Sequence, residues 1–165
     1  ISVDKKLMDV NYMGTIALSK AVLPSMMKHH IGHIATVTSL VGKFGSPYRS
    51  SYAASKHALH GFFDSLRAEL TIRGFEDIHI TLICPGYIKT NITYNALTKD
   101  GSPQDSMDEA QANGMPAQIF AKKCLKAISK KKQEVNIGQK ERFGVLLKRF
   151  FPSVFARFIA KVKVT

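Results

Sequence analysis

A chain of 165 residues is long enough for one domain with a real core, and its 45% hydrophobic content is that of an ordinary globular protein. Two cysteines exclude a disulfide framework, and no uninterrupted apolar run of about 18 residues is present to form a membrane-spanning helix. The net charge of +12 is uneven: residues 1–117 hold 11 Lys/Arg against 10 Asp/Glu, whereas residues 118–165 hold 13 against 2. Charge concentrated in this way suits an anionic surface, either lipid headgroups or nucleic acid, or else a solvated lysine-rich face. The first residue is isoleucine, so the chain is expected to be a piece of something longer.

Ser2 to about His30 reads as one long helix, with Leu7, Val10, Gly14, Ala17, Leu18, Ala21 and Val22 keeping a 3.6-residue rhythm. Pro24 is expected to end or kink it near its last turn. His33 to Thr38 is a β-branched apolar run, read as a strand covered on both faces. Ser39 to Ser51, with Gly42, Gly45 and Pro47, reads as a loop. A second helix is predicted from about Ser51 to Arg73, and a second buried strand from Ile78 to Cys84. From Thr90 to Met115 no firm period survives, which marks a functional or mobile segment. Pro116 then opens a helix that turns Ile119, Phe120, Cys124, Ala127 and Ile128 inward. Glu134 to Gly138 reads as a short last strand. Helices alternating with strands predict an α/β fold with a parallel sheet, in which ligands bind beyond the carboxyl ends of the strands.

Tyr52-Ala53-Ala54-Ser55-Lys56 places a phenol and an ammonium on one helix face. An ammonium there favours the phenolate of a side chain that otherwise titrates near pH ~10. Ser39 stands at one strand end, Pro85 to Thr90 at the next, and the Tyr52–Lys56 helix links the two. His29, His30 and His33 lack carboxylate or cysteine company, so no metal site is expected.

Four motifs follow one another in order: Asn11-Tyr12-Met13-Gly14, Ser39, Tyr52-x-x-x-Lys56 and Pro85-Gly86-Tyr87-Ile88-Lys89-Thr90. Together they resemble the short-chain dehydrogenase/reductase family over residues 2–138. The loop SLVGKFGSPYRSSYAASKHAL is similar to the 11β-hydroxysteroid-dehydrogenase-like branch, near its member 7 group. The resemblance implies a Rossmann-like, doubly wound parallel sheet and an oxidoreductase that interconverts a carbonyl and an alcohol with a nicotinamide cofactor. Tyr52 would be the general acid/base, and Lys56 would lower its pKa and bind the nicotinamide ribose. Ser39 would hold the carbonyl oxygen, and Asn11 would bend its helix and hold a water linking Lys56 to solvent. Pro85, Gly86, Ile88 and Thr90 would line the nicotinamide, and the branch favours NADP(H) over NAD(H). Val41, Ser46 and Tyr48 would face the substrate beside Ser39.

The family's GxxxGxG phosphate-binding turn and its NNAG strand do not occur in this sequence. On the family pattern the chain is the carboxyl-terminal part of a Rossmann sheet whose first half lies upstream. Residues 1–138 are then the catalytic part, with a substrate lid at 91–117, and 139–165 a basic amphipathic tail. An exposed apolar edge along strand 33–38, poor stability and weak cofactor binding are expected of this chain alone.

In the tail, Phe143, Leu147, Phe150, Phe151, Val154, Phe155, Phe158 and Val162 form an apolar stripe. Lys148, Arg149, Arg157 and Lys163 lie around it, and Pro152 divides it into two short helices. Such a segment suits a membrane interface, with the endoplasmic reticulum membrane as the compartment the branch implies and the cytoplasm as the alternative. The competing reading is a dimer contact or a substrate lid packed on the core, and no aromatic-basic module accompanies the charge to mark a nucleic-acid partner. Tyr94, Ala96, Leu97, Met107 and Met115 of the lid imply an apolar substrate such as a steroid, retinoid or lipid ketone. The alternative is a non-catalytic, truncated form of the same fold that binds a membrane or a partner through its basic tail.

Overall fold

The computed structural model describes residues 1–98 and 100–162. Three parallel strands form the sheet: β1 (Gly32–Val37), β2 (Ile78–Pro85) and β5 (Glu134–Ile137), in the order β1-β2-β5. Gly32 to Val37 lie opposite Ile78 to Ile83, and Leu82 to Pro85 opposite Glu134 to Ile137. Helices α1 (Ser2–Met8) and α2 (Gly14–His29) precede β1. Helix α3 (Ser50–Ile72) crosses from β1 to β2, and α5 (Ala117–Ser129) from β2 to β5.

The pleat sends alternate side chains to opposite faces, which gives two cores. On one face Ile34, Ile78, Ile80 and Leu82 pack beneath Leu59, Phe63 and Leu70 of α3, with Leu23, Met26 and Met27 of α2 beside them. Leu59, Phe63 and Leu82 are completely or almost completely buried, and burial of such side chains stabilises by about 1.5–3 kcal/mol each. On the other face Ile83 and Ile137 meet Phe120, Cys124 and Ile128 of α5. That second cover does not reach β1, where Val37 is 51% exposed. The apolar edge expected along this strand is therefore present.

The first helix departs from its predicted form. Its break falls at Asp9–Met13, a five-residue π turn, and α2 runs through Pro24 to His29. The left-handed backbone of His30 ends it instead. Of the residues that keep the predicted rhythm, Val10, Leu18 and Val22 are exposed, while Ile16 and Ser19 are buried and Leu23 and Met26 pack on the core. This helix is apolar on two faces, and periodicity alone does not say which of them meets the sheet. Ile119 is likewise exposed. Pro116, expected to open a helix, closes a two-residue strand and caps α5.

The expected irregular stretch holds β3 (Ile88–Lys89), paired in parallel with β4 (Met115–Pro116), and the short helix α4 (Glu109–Ala112). Beyond β5 come α6 (Phe143–Phe150) and α7 (Pro152–Ile159), divided at Pro152 as expected. The apolar stripe of the tail splits in two. Phe155 is buried against Leu40, Phe44 and Cys84, with its ring 5.1 Å from that of Phe44, and Leu147 packs beside it. Phe143, Phe150, Phe151, Val154 and Phe158 are each more than half exposed, whereas Lys163 lies outside the described residues.

Candidate active site

The carboxyl ends of β1 and β2 open into a cleft of about 2020 Å³. Asn11, Ser39, Val41, Ser46, Tyr48, Tyr52, Lys56, Pro85, Gly86, Ile88 and Thr90 all line it, so every site residue read from the sequence converges on one cavity. Tyr48 stands at the rim, 94% exposed with φ 58°.

Ser39 leaves β1 in an extended conformation, and its hydroxyl accepts from Val41 N at 3.3 Å, capping the short turn Leu40–Gly42. Its Oγ also reaches the Pro85 carbonyl at 3.5 Å, across to the end of β2. Tyr52 lies in the first turn of α3. Burial pushes its hydroxyl above the ordinary value, and a hydrogen bond with Ser39 and the charge of Arg49 act in the opposite sense. Tyr52 is thus held protonated at neutral pH. The contributions that oppose burial come from Ser39 and Arg49. The Lys56 ammonium donates to the Val37 carbonyl at 3.3 Å and lies 5.7 Å from the Tyr52 ring centroid. Burial also pulls the pKa of Lys56 down.

Asn11 sits in the π turn, where its expected helix-bending role would place it, and its amide donates to Ser55 Oγ at 3.1 Å. Gly86 N donates to the Ile137 carbonyl at 2.8 Å, which holds the Pro85-Gly86 turn against β5. Thr90 Oγ1 donates to the Ile88 carbonyl at 3.4 Å.

Lys56, Tyr52 and Thr90 offer an ammonium and two hydroxyls to the same cleft, a donor set that fits the ribose and carboxamide of a nicotinamide. The chain's sequence supplies no glycine-rich strand-to-helix turn for a pyrophosphate. The residues present therefore fit the nicotinamide end of such a cofactor and not its phosphate end.

Three groups of residues around the cleft escaped sequence reading. In the first, Arg49 Nη2 stands 2.6 Å from the buried Asp108, which also accepts from Gln104 Nε2 at 2.8 Å. Gln111, also buried, donates to the Ile88 carbonyl and reaches Thr90 Oγ1 at 3.4 Å. The segment 91–117 is thus tied to both walls of the cleft, and Ile92, Ala96 and Leu97 line it. Met115 belongs to the core beneath β3, and Tyr94 points outward; neither serves as the lid residue expected.

The second is a half-buried network that joins the turn after Ser39 to β2 and β5. The Lys43 ammonium lies 2.6 Å from Glu134 Oε2 and 3.4 Å from His60 Nδ1. His60 Nε2 lies 3.9 Å from Cys84 Sγ. Cys84 has no ligand-type neighbours along the chain, yet the fold gathers it with His60 and Glu134 so that their ligand atoms lie within 4.8 Å of one another. The lysine already supplies that cluster with a cation. Burial raises Glu134, but hydrogen bonds from His60 and Lys43 outweigh it and hold the carboxyl at about 2. Burial pushes the Cys84 thiol up to about 11, which makes it a poor nucleophile.

The third is Glu141, whose carboxylate accepts from Tyr87 N and Gln139 N at 3.1 Å each. One signal was available for the last two groups: Glu134 and Glu141 are the only two acids among residues 118–165.

Comparison with known proteins agrees with this geometry. The family model described as short chain dehydrogenase matches residues 3–101, and the chain belongs to that family. It is 42% identical over 161 residues to the Xenopus tropicalis protein named dehydrogenase/reductase SDR family member 7B, covering 97% of this chain and 51% of the relative. It is 45% identical over 156 residues to the Anopheles gambiae dehydrogenase/reductase SDR family protein 7-like, covering 94% and 48%. The chain therefore spans about half the length of the curated relatives it matches.

Among solved structures, a short chain dehydrogenase from Burkholderia cenocepacia in complex with NADP superposes with TM-score 0.75 at 21% identity, covering 96% of this chain and 60% of that one. One from Burkholderia phymatum in complex with NAD gives 0.73 at 20% identity, covering 89% and 57%. The fold is that of part of a Rossmann-like, doubly wound sheet.

Proposed function

We propose that this chain is the catalytic and substrate-binding part of a nicotinamide-dependent oxidoreductase that interconverts a carbonyl and an alcohol on an apolar substrate. The observation that carries the reading is the convergence of Ser39, Tyr52 and Lys56 on one cleft whose far wall is apolar, with Phe143, Leu146, Leu147 and Phe150 among its residues. When bound, the nicotinamide cofactor supplies the hydride to the carbonyl carbon or receives it from the alcohol carbon. Tyr52 gives its hydroxyl proton to the substrate oxygen in reduction and takes it back in oxidation. Burial favours the protonated phenol and so favours the donor role at neutral pH. Ser39 holds the same oxygen, which fixes the substrate for attack from one direction. Lys56 places a positive charge beside the phenolate that forms, and with Thr90 it would hold the cofactor along the wall made by Pro85, Gly86 and Ile88. The apolar wall suits a steroid, retinoid or lipid-like compound, and the branch resemblance favours NADP(H).

The test is turnover of steroid, retinoid and lipid carbonyls by the full-length protein with NADPH or NADH, beside its Y52F variant. Reduction that Y52F abolishes supports the reading. Equal rates in the two proteins, or no turnover with either cofactor across the panel, defeat it.

A second reading rests on the tail. Phe143, Phe150, Phe151 and Phe158 line the open side of that same cleft and are each more than half exposed, with Arg142, Lys148, Arg149 and Arg157 close by in the chain. No helix among the described residues is long and apolar enough to cross a membrane. We propose that this face rests on an anionic bilayer, that of the endoplasmic reticulum following the branch resemblance. Cosedimentation with phosphatidylserine vesicles but not with neutral ones supports it; equal recovery with both removes the electrostatic part of the argument. The same face would serve a non-catalytic form of the chain, the reading favoured if full-length protein binds vesicles but neither cofactor.

A further inference from the structure

Glu141 occupies a place that its neighbours are shaped to receive. It lies in the single turn Lys140–Arg142 that joins β5 to α6, at the root of the tail. Its Oε1 accepts from Tyr87 N, just past the Pro85-Gly86 turn at the end of β2, and from Gln139 N, just past the end of β5. One carboxylate oxygen thus bridges the exits of two parallel strands. The bed beneath it is glycine on both sides. A Cβ on Gly86 would fall on the carboxylate, within 2.7 Å of Glu141 Cγ, and one on Gly138 would lie 2.8 Å from Oε1. Two adjacent strand exits therefore leave out a side chain where this one acid lies down. Bonds from backbone amides to an ionised carboxylate are among the stronger ones in proteins. Directly after Glu141 the chain enters α6, whose Phe143, Leu147 and Phe150 wall the cleft.

We infer that Glu141 is a positioning residue, whose carboxylate clips the root of the tail to the turn that lines the cofactor and so couples seating of the tail over the cleft to cofactor binding. The inference rests on the oxidoreductase reading above. Coupling of this kind is reciprocal: a cofactor that orders the Pro85–Tyr87 turn also seats the tail, and loosening the tail weakens the cofactor's hold.

The test uses the full-length protein with NADPH, in wild type and the variants E141A, E141Q, G138A and G138A/E141A. Two readouts are taken: the KM for NADPH against kcat, and hydrogen exchange of the amides at 85–90 and 137–141. E141A is expected to raise the cofactor KM roughly tenfold, the scale of one charge-assisted hydrogen bond, with little change in kcat, and to speed exchange at Tyr87. E141Q keeps an acceptor oxygen and is expected to recover most of both losses. G138A should resemble E141A, and combining them should add little, because both unseat the same group. Wild-type KM and exchange in E141A overturn the inference, as does a glutamine no better than alanine or a double variant whose losses add. Should E141A fold poorly, E141Q and G138A carry the comparison. If wild type turns over no substrate, the oxidoreductase reading falls, while NADPH-dependent protection at Tyr87, present in wild type and E141Q but lost in G138A, still decides the coupling.

Discussion

The side-chain amide of Asn11 donates to the hydroxyl of Ser55 at 3.1 Å, joining residues 44 positions apart. Ser55, completely buried, passes a bond of its own to the Tyr52 carbonyl at 2.8 Å. The π turn at Asp9–Met13 thus braces the first turn of α3, in which the candidate acid sits. Local widening of a helix is the usual way such a turn re-aims one side chain. Replacing Asn11 by alanine is expected to cost about 1 kcal/mol, the net worth of one hydrogen bond, and to lower the midpoint by about 2–4 °C in a thermal melt. An unchanged midpoint would show that the brace contributes nothing.

Tyr52→Phe removes the transferable proton without removing the ring. Turnover is expected to fall by about 10²–10⁴-fold, the range for loss of one general acid, with the circular dichroism spectrum unchanged. Retained activity would move the proton transfer to another group.

The pH dependence of reduction follows from Tyr52. Its pKa is raised, so the protonated donor persists through neutral pH and is lost only as pH rises through the folded value. Among the charges near the phenol, Arg49 opposes this shift. Asp4 and Lys6 of α1 and Lys140 and Glu141 of the tail line the same cleft. Arg49→Met also frees the negative charge of Asp108, so the alkaline limb of the rate profile is expected to move further up. A limb that moves down would contradict this electrostatic account.

Two phenylalanines of the tail are expected to behave differently. Phe155→Ala empties a buried site beside Leu40 and Phe44 and should destabilise by about 3–5 kcal/mol in a denaturant titration. Phe158→Ala, on the exposed face, should leave stability nearly unchanged and reduce recovery with anionic vesicles. Similar stability losses in both would mean that the outer face is covered as well.

Glu134 makes stability depend on acid. Its carboxyl is held at about 2 by His60 and Lys43, below the ordinary value of 4.5. A depressed carboxylate contributes stability above the unfolded pKa and loses it as pH falls through the folded one. The midpoint of unfolding is therefore expected to drop between pH 4.5 and about 2. Glu134→Gln should flatten that part of the profile, and an unaltered profile in the variant would assign the acid sensitivity elsewhere.

Every strand of the sheet was legible in the residues, because β-branched runs such as His33 to Thr38 and Ile78 to Cys84 carry their own signal. The candidate site was legible for the same kind of reason: Ser39, Tyr52, Lys56 and Pro85 to Thr90 are short-range patterns at strand ends and on a helix face. The first helix was legible as a helix but not as to its buried face, since Leu18 and Ile16 are both apolar and only Ile16 is buried. The tail's apolar stripe hid two roles, since Phe155 and Phe158 differ only in which side of α7 they occupy.

The sequence by itself determined the alternation of helices and strands, the candidate catalytic set and the charge asymmetry, because each rests on residues close together in the chain. Only the tertiary structure decided the pairings of Asn11 with Ser55, Arg49 with Asp108, Lys43 with Glu134 and Glu141 with Tyr87. Each of these joins groups 44 to 91 positions apart. Such a contact leaves no local pattern: it exists only once parallel strands, linked by crossovers, bring their ends to one side of the sheet.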